Sequence, residues 1–161
     1  MILHGELASP DGAPLVDVSV DIQPFYRGYL SKENGGTTGI AIPEAVRGKA
    51  LIDTGASMSC VAFPVAEKLQ LMRIGAVTFR GVEGARKPGE SGEQAPIFGA
   101  LLTIPALNWT QEVRLVGVQP DDVHIAIIGR DLLDHFRFEY DGPGKRFRMF
   151  QTHAEAKVHS G

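Results

Sequence analysis

The chain has few of the residues that build covalent or metal cross-links. It contains one cysteine, Cys60, so an internal disulfide is excluded. Its five histidines are scattered along the sequence and no CxxC pair is present, so we expect neither a metal site nor a bound cofactor. A reducing compartment suits such a chain, and we expect a cytoplasmic protein.

The sequence also lacks a strong excess of charge and a long apolar run. Sixteen basic and nineteen acidic residues give a formal net charge of −3, and no dense cluster of Lys and Arg is present. We therefore expect no nucleic-acid partner. No window approaches the roughly 18 apolar residues that a membrane-spanning helix needs, so we expect no membrane partner either.

Hydrophobic residues make up 43% of the 161 residues, which is enough for one domain with a sizeable core. We expect a single domain over 1–161, with the motifs described below inside a core of about 48–150. Residues 151–161 are polar and are expected to form a frayed tail. The first fifty residues carry no assignable motif.

Short strands and turns dominate the pattern, which predicts an all-β protein with one or two short helices. We expect a loop over 27–39, because this segment is polar and rich in glycine. The expected helices are 63–71 and 130–136. The expected strands are 2–8 with 15–22 as a hairpin, 76–80 with 97–104 as a long hairpin, 111–119, 124–129, and a terminal hairpin over 136–150.

Two apolar strands end in glycine-containing turns that carry acids. The first is "LIDTGAS", in which Asp53 follows Leu51 and Ile52. The second is "AIIGRDLL", Ala126 to Leu133, about seventy-five residues later. A carboxylate at the end of a buried strand needs partners, so both segments are candidates for a functional site.

Together these segments resemble the retropepsin-like aspartic proteases, which include retroviral proteases and single-lobed bacterial proteins. The matching features are Asp-Thr-Gly-Ala-Ser, a long flap-like hairpin, and Ile-Ile-Gly-Arg-Asp-Leu-Leu, in the family's order. The resemblance covers Leu51 to about Phe138, and the terminal hairpin looks like an extension found in bacterial members. It implies a closed-barrel-like single lobe that is active as a two-fold homodimer.

The resemblance also implies an activity, the hydrolysis of peptide bonds in extended polypeptides. Asp53 would be the catalytic residue, and because the chain has one Asp-Thr-Gly, a second Asp53 would come from a partner copy. Thr54, Gly55 and Ala56 would form the active-site loop, while Gly129, Arg130 and Asp131 would support it. The residues implied to bind substrate are Gly55, Ser57, Met58, Ile127 and, in the flap, Gly81, Val82 and Gly84.

One departure from the family pattern leaves a question open. Retroviral enzymes often have an acid where this chain has Ser57, and that acid pairs with the arginine of Gly-Arg. Arg130 therefore needs another partner, for which Asp131, Glu67 and a backbone carbonyl are candidates. Two alternatives to a general endopeptidase also stay open: a dimeric module that binds peptides without cutting them, and a protease restricted to self-processing.

Overall fold

In a computed structural model of the chain, the structure describes residues 1–8, 12–33, 41–79, 93–119 and 124–151. Strands dominate these ranges, as the sequence predicts. The strands are β1 (Ile2–Ala8), β2 (Ala13–Asp21), β3 (Val46–Ile52), β4 (Cys60–Ala62), β5 (Met72–Phe79), β6 (Glu93–Ile104), β7 (Trp109–Val118), β8 (Ala126–Ile128), β9 (Phe136–Asp141) and β10 (Arg146–Gln151).

Six of these strands close into a barrel. The neighbours run β6-β7-β4-β8-β3-β2, and β2 pairs with β6 through Ser19 to Asp21, which joins the two ends. The apolar residues of these strands point into one core, where Val20, Leu115 and Ile128 are fully buried. Closure removes the exposed edges of the barrel strands.

The two motif-bearing strands are neighbours in the wall of this barrel. β3 pairs with β8 in parallel, with Leu51 opposite Ile127 and Ile52 opposite Ile128. Both strands therefore end at the same level. The residues that follow them, Asp53 and Gly129, are brought together by this register although they are far apart in sequence.

Beside the barrel, the terminal strands continue the sheet from the barrel strand β2, in the order β1-β10-β9. The predicted hairpin of β1 and β2 is present, but only Leu7 and Ala8 pair with β2. The rest of β1 pairs with β10, from Ile2 opposite Phe150 to Glu6 opposite Arg146. The predicted terminal hairpin is confirmed, since β9 and β10 pair antiparallel across the Asp-Gly-Pro-Gly turn.

The predicted long hairpin is also present, and its strands β5 and β6 are longer than the sequence indicates. Its glycine-rich middle, 80–92, lies outside the described residues, and so do the flap positions Gly81, Val82 and Gly84.

The helices include one correction. Helix α1 (Pro24–Glu33) occupies part of the segment that we predicted as a loop. Proline suits the first turn of a helix, and the partly buried Tyr26 and Leu30 pack against the core. Arg27 adds an ion pair of 2.5 Å to Asp21. Packing on the core and this ion pair stabilise a helix that the polar composition of the segment does not predict.

The other two helices were predicted and are shorter than expected: α2 (Phe63–Lys68) and α3 (Arg130–Leu133). A short 3₁₀ helix spans Pro105–Leu107. Within the described ranges, no helix is long and apolar enough to cross a membrane.

Candidate active site

Asp53 stands at the end of β3, on a turn that its own carboxylate helps to hold. The backbone N–H of Asp53 donates to the carbonyl of Ile128 at 3.0 Å, which continues the pairing of β3 with β8. Its carboxylate Oδ1 accepts from the N–H of Gly55 at 2.8 Å and from that of Ala56 at 3.3 Å. Two backbone donors thus fix Oδ1, and Asp53 as a whole is half-buried.

The residues after Asp53 are small and leave its surroundings open. Thr54, Gly55 and Ser57 are exposed, while Ala56 is half-buried. A Cβ on Gly55 would stand 3.1 Å from Asp53 Oδ1, closer than most side chains come to a neighbouring atom. The glycine therefore leaves room for the carboxylate, and the turn presents backbone groups to any chain that lies across it.

Gly129 packs directly against the loop that carries Asp53. A Cβ at this position would lie 2.7 Å from the backbone carbonyl group of Met58 and 3.1 Å from the carbonyl oxygen of Ala56. Because these are backbone atoms, a side chain cannot be accommodated by a rotamer change. The φ of Gly129 is −90°, which any residue can adopt, so the backbone conformation does not require glycine. The close approach of the Met58 and Ala56 backbone does.

Arg130 answers the question that the sequence leaves open. Its guanidinium Nη1 donates to the backbone carbonyls of Thr54 at 3.1 Å and Gly55 at 3.4 Å. Its own N–H donates to the carbonyl of Ala56 at 2.9 Å. Of the three candidate partners, the backbone carbonyl is the one the structure shows, and Arg130 holds three successive residues of the Asp53 loop.

Asp131 supports the loop from behind, through a residue that the sequence does not single out. Ser59 is fully buried, and its hydroxyl donates to Asp131 Oδ1 at 2.6 Å. The same hydroxyl oxygen accepts from the N–H of Gly129 at 2.9 Å. The sequence signal for this role is the position of Ser59 directly before the apolar strand β4, where a buried polar group must find hydrogen-bond partners.

Cys60 lies beside these acids and has an altered thiol. Burial raises the pKa of Cys60 to about 11, and the negative charges of Asp131 and Asp53 add to the effect. The thiol is therefore protonated at neutral pH. A protonated thiol is a poor nucleophile, so the arrangement does not suit cysteine chemistry.

Two further residues that the resemblance implies to bind substrate, Ile127 and Met58, are both half-buried. Ile127 is half-buried between Ala126 and Ile128, which are both buried, so part of its side chain is free to contact another molecule. Met58 is half-buried beside the loop. In the part of the chain that the structure describes, no group of three or more His, Cys, Asp or Glu could hold a metal ion.

Comparison with known proteins identifies the fold. No protein-family model and no curated protein matches the chain. Among solved structures, a retropepsin-like aspartic protease from Rickettsia conorii aligns with a TM-score of 0.51 and 16% identity, over 92% of this chain and 91% of that one. A complex of EIAV protease with the inhibitor HBY-793 aligns with a TM-score of 0.43 and 16% identity, over 79% and 90%. The chain has the single-lobed fold of the retropepsin-like aspartic proteases.

Proposed function

We propose that the protein is an aspartic endopeptidase that works as a two-fold homodimer. The observation that carries the proposal is the position of Asp53. Its carboxylate stands on an open turn, Oδ1 is held by two backbone N–H groups, and the loop is fastened by Arg130 and Gly129. Such a carboxylate is fixed in orientation, and Asp53 is only half-buried.

The second carboxylate of the proposed dyad is the partner's Asp53. Within one chain, Asp131 is joined to the loop region through Ser59, but its Oδ1 accepts from Ser59 and from the N–H of Leu132. Asp131 therefore serves to hold the loop region in place. A two-fold axis beside the exposed Thr54 would bring two copies of Asp53 together without a further acid from either chain.

The proposed chemistry needs one proton shared by the two carboxylates and one water molecule. The ionised carboxylate removes a proton from the water while the water oxygen attacks the peptide carbonyl carbon. The other carboxyl group, which is protonated, gives its proton to the carbonyl oxygen, and a tetrahedral diol forms. The carboxyl group that took the proton from water then gives it to the amide nitrogen, while the other takes a proton from a diol hydroxyl. The C–N bond breaks, and an amine and a carboxylic acid are released.

The substrate is proposed to be an extended polypeptide. The exposed Gly55 and Ser57 offer backbone and hydroxyl groups along the turn, and the half-buried Met58 and Ile127 offer apolar surface beside it. We expect apolar side chains on either side of the cut bond, because burying apolar surface is the main gain at such positions. Gly81, Val82 and Gly84 are proposed to cover the bound peptide.

A diverse peptide library tests this function. The wild type should cut extended peptides, and Asp53→Asn should cut none, since the amide keeps an oxygen for Gly55 and Ala56 but cannot act as a base. Circular dichroism and sedimentation should show that the variant remains folded and associated. If the wild type retains peptides without cutting any of them, the protein is a binding module and the proposal is wrong.

A further inference from the structure

β1 has an unpaired edge along most of its length. Residues 2–6 pair with β10, and only Leu7 and Ala8 pair with β2. In the ranges that the structure describes, the other side of residues 2–6 pairs with no strand. The ladder with β10 has no register shift, and β1 contains no proline. Bulges and prolines are common means by which proteins block an exposed edge, so this stretch is able to accept a further strand.

The buried side of β1 fastens this edge to the core. Leu3 and Leu7 are buried in the core, and Gly5 lies against the ring of the fully buried Phe147. A Cβ on Gly5 would overlap this ring, so the glycine lets Phe147 cross the strand. The edge is therefore held in place before any further strand binds, which lowers the entropy cost of binding.

The outer face of β1 carries three exposed side chains of different chemistry. Ile2, His4 and Glu6 alternate with the buried leucines, and Ile2 is 56% exposed. Side chains that lie directly opposite each other on neighbouring strands interact. Each of these three side chains would therefore meet one residue of an added strand.

Among the described residues, the carboxylate of Glu6 has no ion-pair partner. Arg146 lies opposite Glu6 on β10, but its Nε pairs with Asp141 of β9 at 2.8 Å. Arg148, two residues further along β10, pairs with Glu139 of β9. Both arginines are thus engaged by β9. The charge of Glu6 suits a basic residue on the open side of β1.

A second copy of β1 does not match this pattern. The antiparallel register that uses the whole free stretch is centred on His4, and it puts Ile2 of one copy opposite Glu6 of the other. Such a pair gives the carboxylate no cation and the isoleucine no apolar contact. A different strand, with a basic residue at one position and an apolar residue four positions later, satisfies both ends.

We propose that the free edge of β1 binds an extended segment of another protein by antiparallel strand addition. The segment has Lys or Arg opposite Glu6, an acid that accepts from the imidazole of His4, and an apolar residue opposite Ile2. Backbone hydrogen bonds supply the affinity in this mode of binding, and alternate side chains supply the specificity. The inference goes beyond the proposed function and does not depend on it, because Asp53 takes no part.

Labelled peptides and fluorescence anisotropy test the register. A capped nine-residue peptide with Lys-Thr-Glu-Thr-Val at its centre should bind the wild type. The same peptide with Glu in place of Lys should bind about threefold or more weakly, because that residue faces Glu6. Glu6→Lys should reverse this preference, and Glu6→Gln should remove it. Glu67→Lys, the same change of charge at an exposed position of α2, should keep the wild-type preference.

N-methylated peptides test the strand addition itself. In an antiparallel pair, alternate residues direct their N–H groups toward the neighbouring strand. Methylation of the second and fourth residues of the central motif should therefore differ in effect from methylation of the first, third and fifth. One form should lose binding and the other should retain it.

Three results would overturn the proposal. The first is equal binding of the two methylated forms, which would mean that the peptide is held by charge alone. The second is no binding of either unmethylated peptide to the wild type. The third is a changed oligomeric state of Glu6→Lys in sedimentation, which would mean that a second copy occupies the edge. Since none of these measurements uses peptide cleavage, the proposed function stands or falls separately.

Discussion

The hydroxyl of Ser59 joins the acid of α3 to the glycine that supports the Asp53 loop. It donates to Asp131 Oδ1 at 2.6 Å and accepts from the N–H of Gly129 at 2.9 Å. The side chain is fully buried, so water cannot replace either bond. One hydroxyl thus fixes two residues of the segment that lies beneath the proposed catalytic residue.

Removal of this hydroxyl should weaken both the fold and the activity. Ser59→Ala leaves the Gly129 N–H without its partner and Asp131 with one donor fewer, which should reduce the free energy of unfolding by about 1–3 kcal/mol. Ser59→Thr keeps the hydroxyl and should retain more of the stability and the activity. Urea unfolding measures the effect. Ser31→Ala, which removes an exposed hydroxyl in α1, is the control and should change the free energy by no more than about 0.5 kcal/mol.

A side chain at Gly129 should displace the loop. The Cβ of Gly129→Ala would meet backbone atoms of Met58 at 2.7 Å, and relief of such crowding typically costs about 1–3 kcal/mol. We expect lower stability and a loss of peptide cleavage. Gly28→Ala is the matched control, because nothing lies within 4 Å of its added Cβ. It should raise stability by about 0.5–1 kcal/mol, as alanine does inside a helix. Equal effects of the two substitutions would contradict the close approach at Gly129.

The buried thiol of Cys60 should make stability depend on pH in the alkaline range. Burial, with the charges of Asp131 and Asp53, raises the pKa of Cys60 from 9.0 to about 11. Between these values the unfolded chain loses the thiol proton while the folded chain retains it. The contribution of the protonated thiol to the free energy of unfolding should therefore be fully present below pH 9 and should be lost as the pH rises toward 11.

Urea unfolding at a series of pH values checks this prediction. The difference between wild type and Cys60→Ala should be constant below pH 9 and should then change as the wild type loses stability. Alkylation by iodoacetamide should also be slow in the folded protein at neutral pH and fast after unfolding. Rapid alkylation of the folded protein at neutral pH would show that the thiol is accessible and ionised.

The sequence predicts most strands of the barrel and the two motifs, because both rest on local patterns, but it does not predict the three-residue strand β4. β2 alternates apolar and polar residues, and the run that ends in Asp53 is short and apolar. The resemblance also places Gly129 beneath Asp53, and the parallel register of β3 and β8 agrees with it. The terminal hairpin is marked by its Asp-Gly-Pro-Gly turn.

The features that the sequence does not reveal depend on contacts between distant segments. Helix α1 is stabilised by packing of Tyr26 and Leu30 on the core, which has no local signature. The partners of Arg130 are backbone carbonyls, which every residue possesses, so no residue type could identify them. Ser59 resembles an ordinary turn serine until Asp131 and Gly129 are placed beside it.

The central claim is that each active site contains two Asp53 carboxylates, one from each chain. Its most direct test mixes wild type with Asp53→Asn at a fixed total concentration at which the wild type is fully dimeric, and measures peptide cleavage after the chains have exchanged. With random pairing, activity should follow the square of the wild-type fraction, so an equal mixture should keep a quarter of the activity. A linear dependence, with half of the activity in the equal mixture, would show that each chain works alone and would contradict the claim.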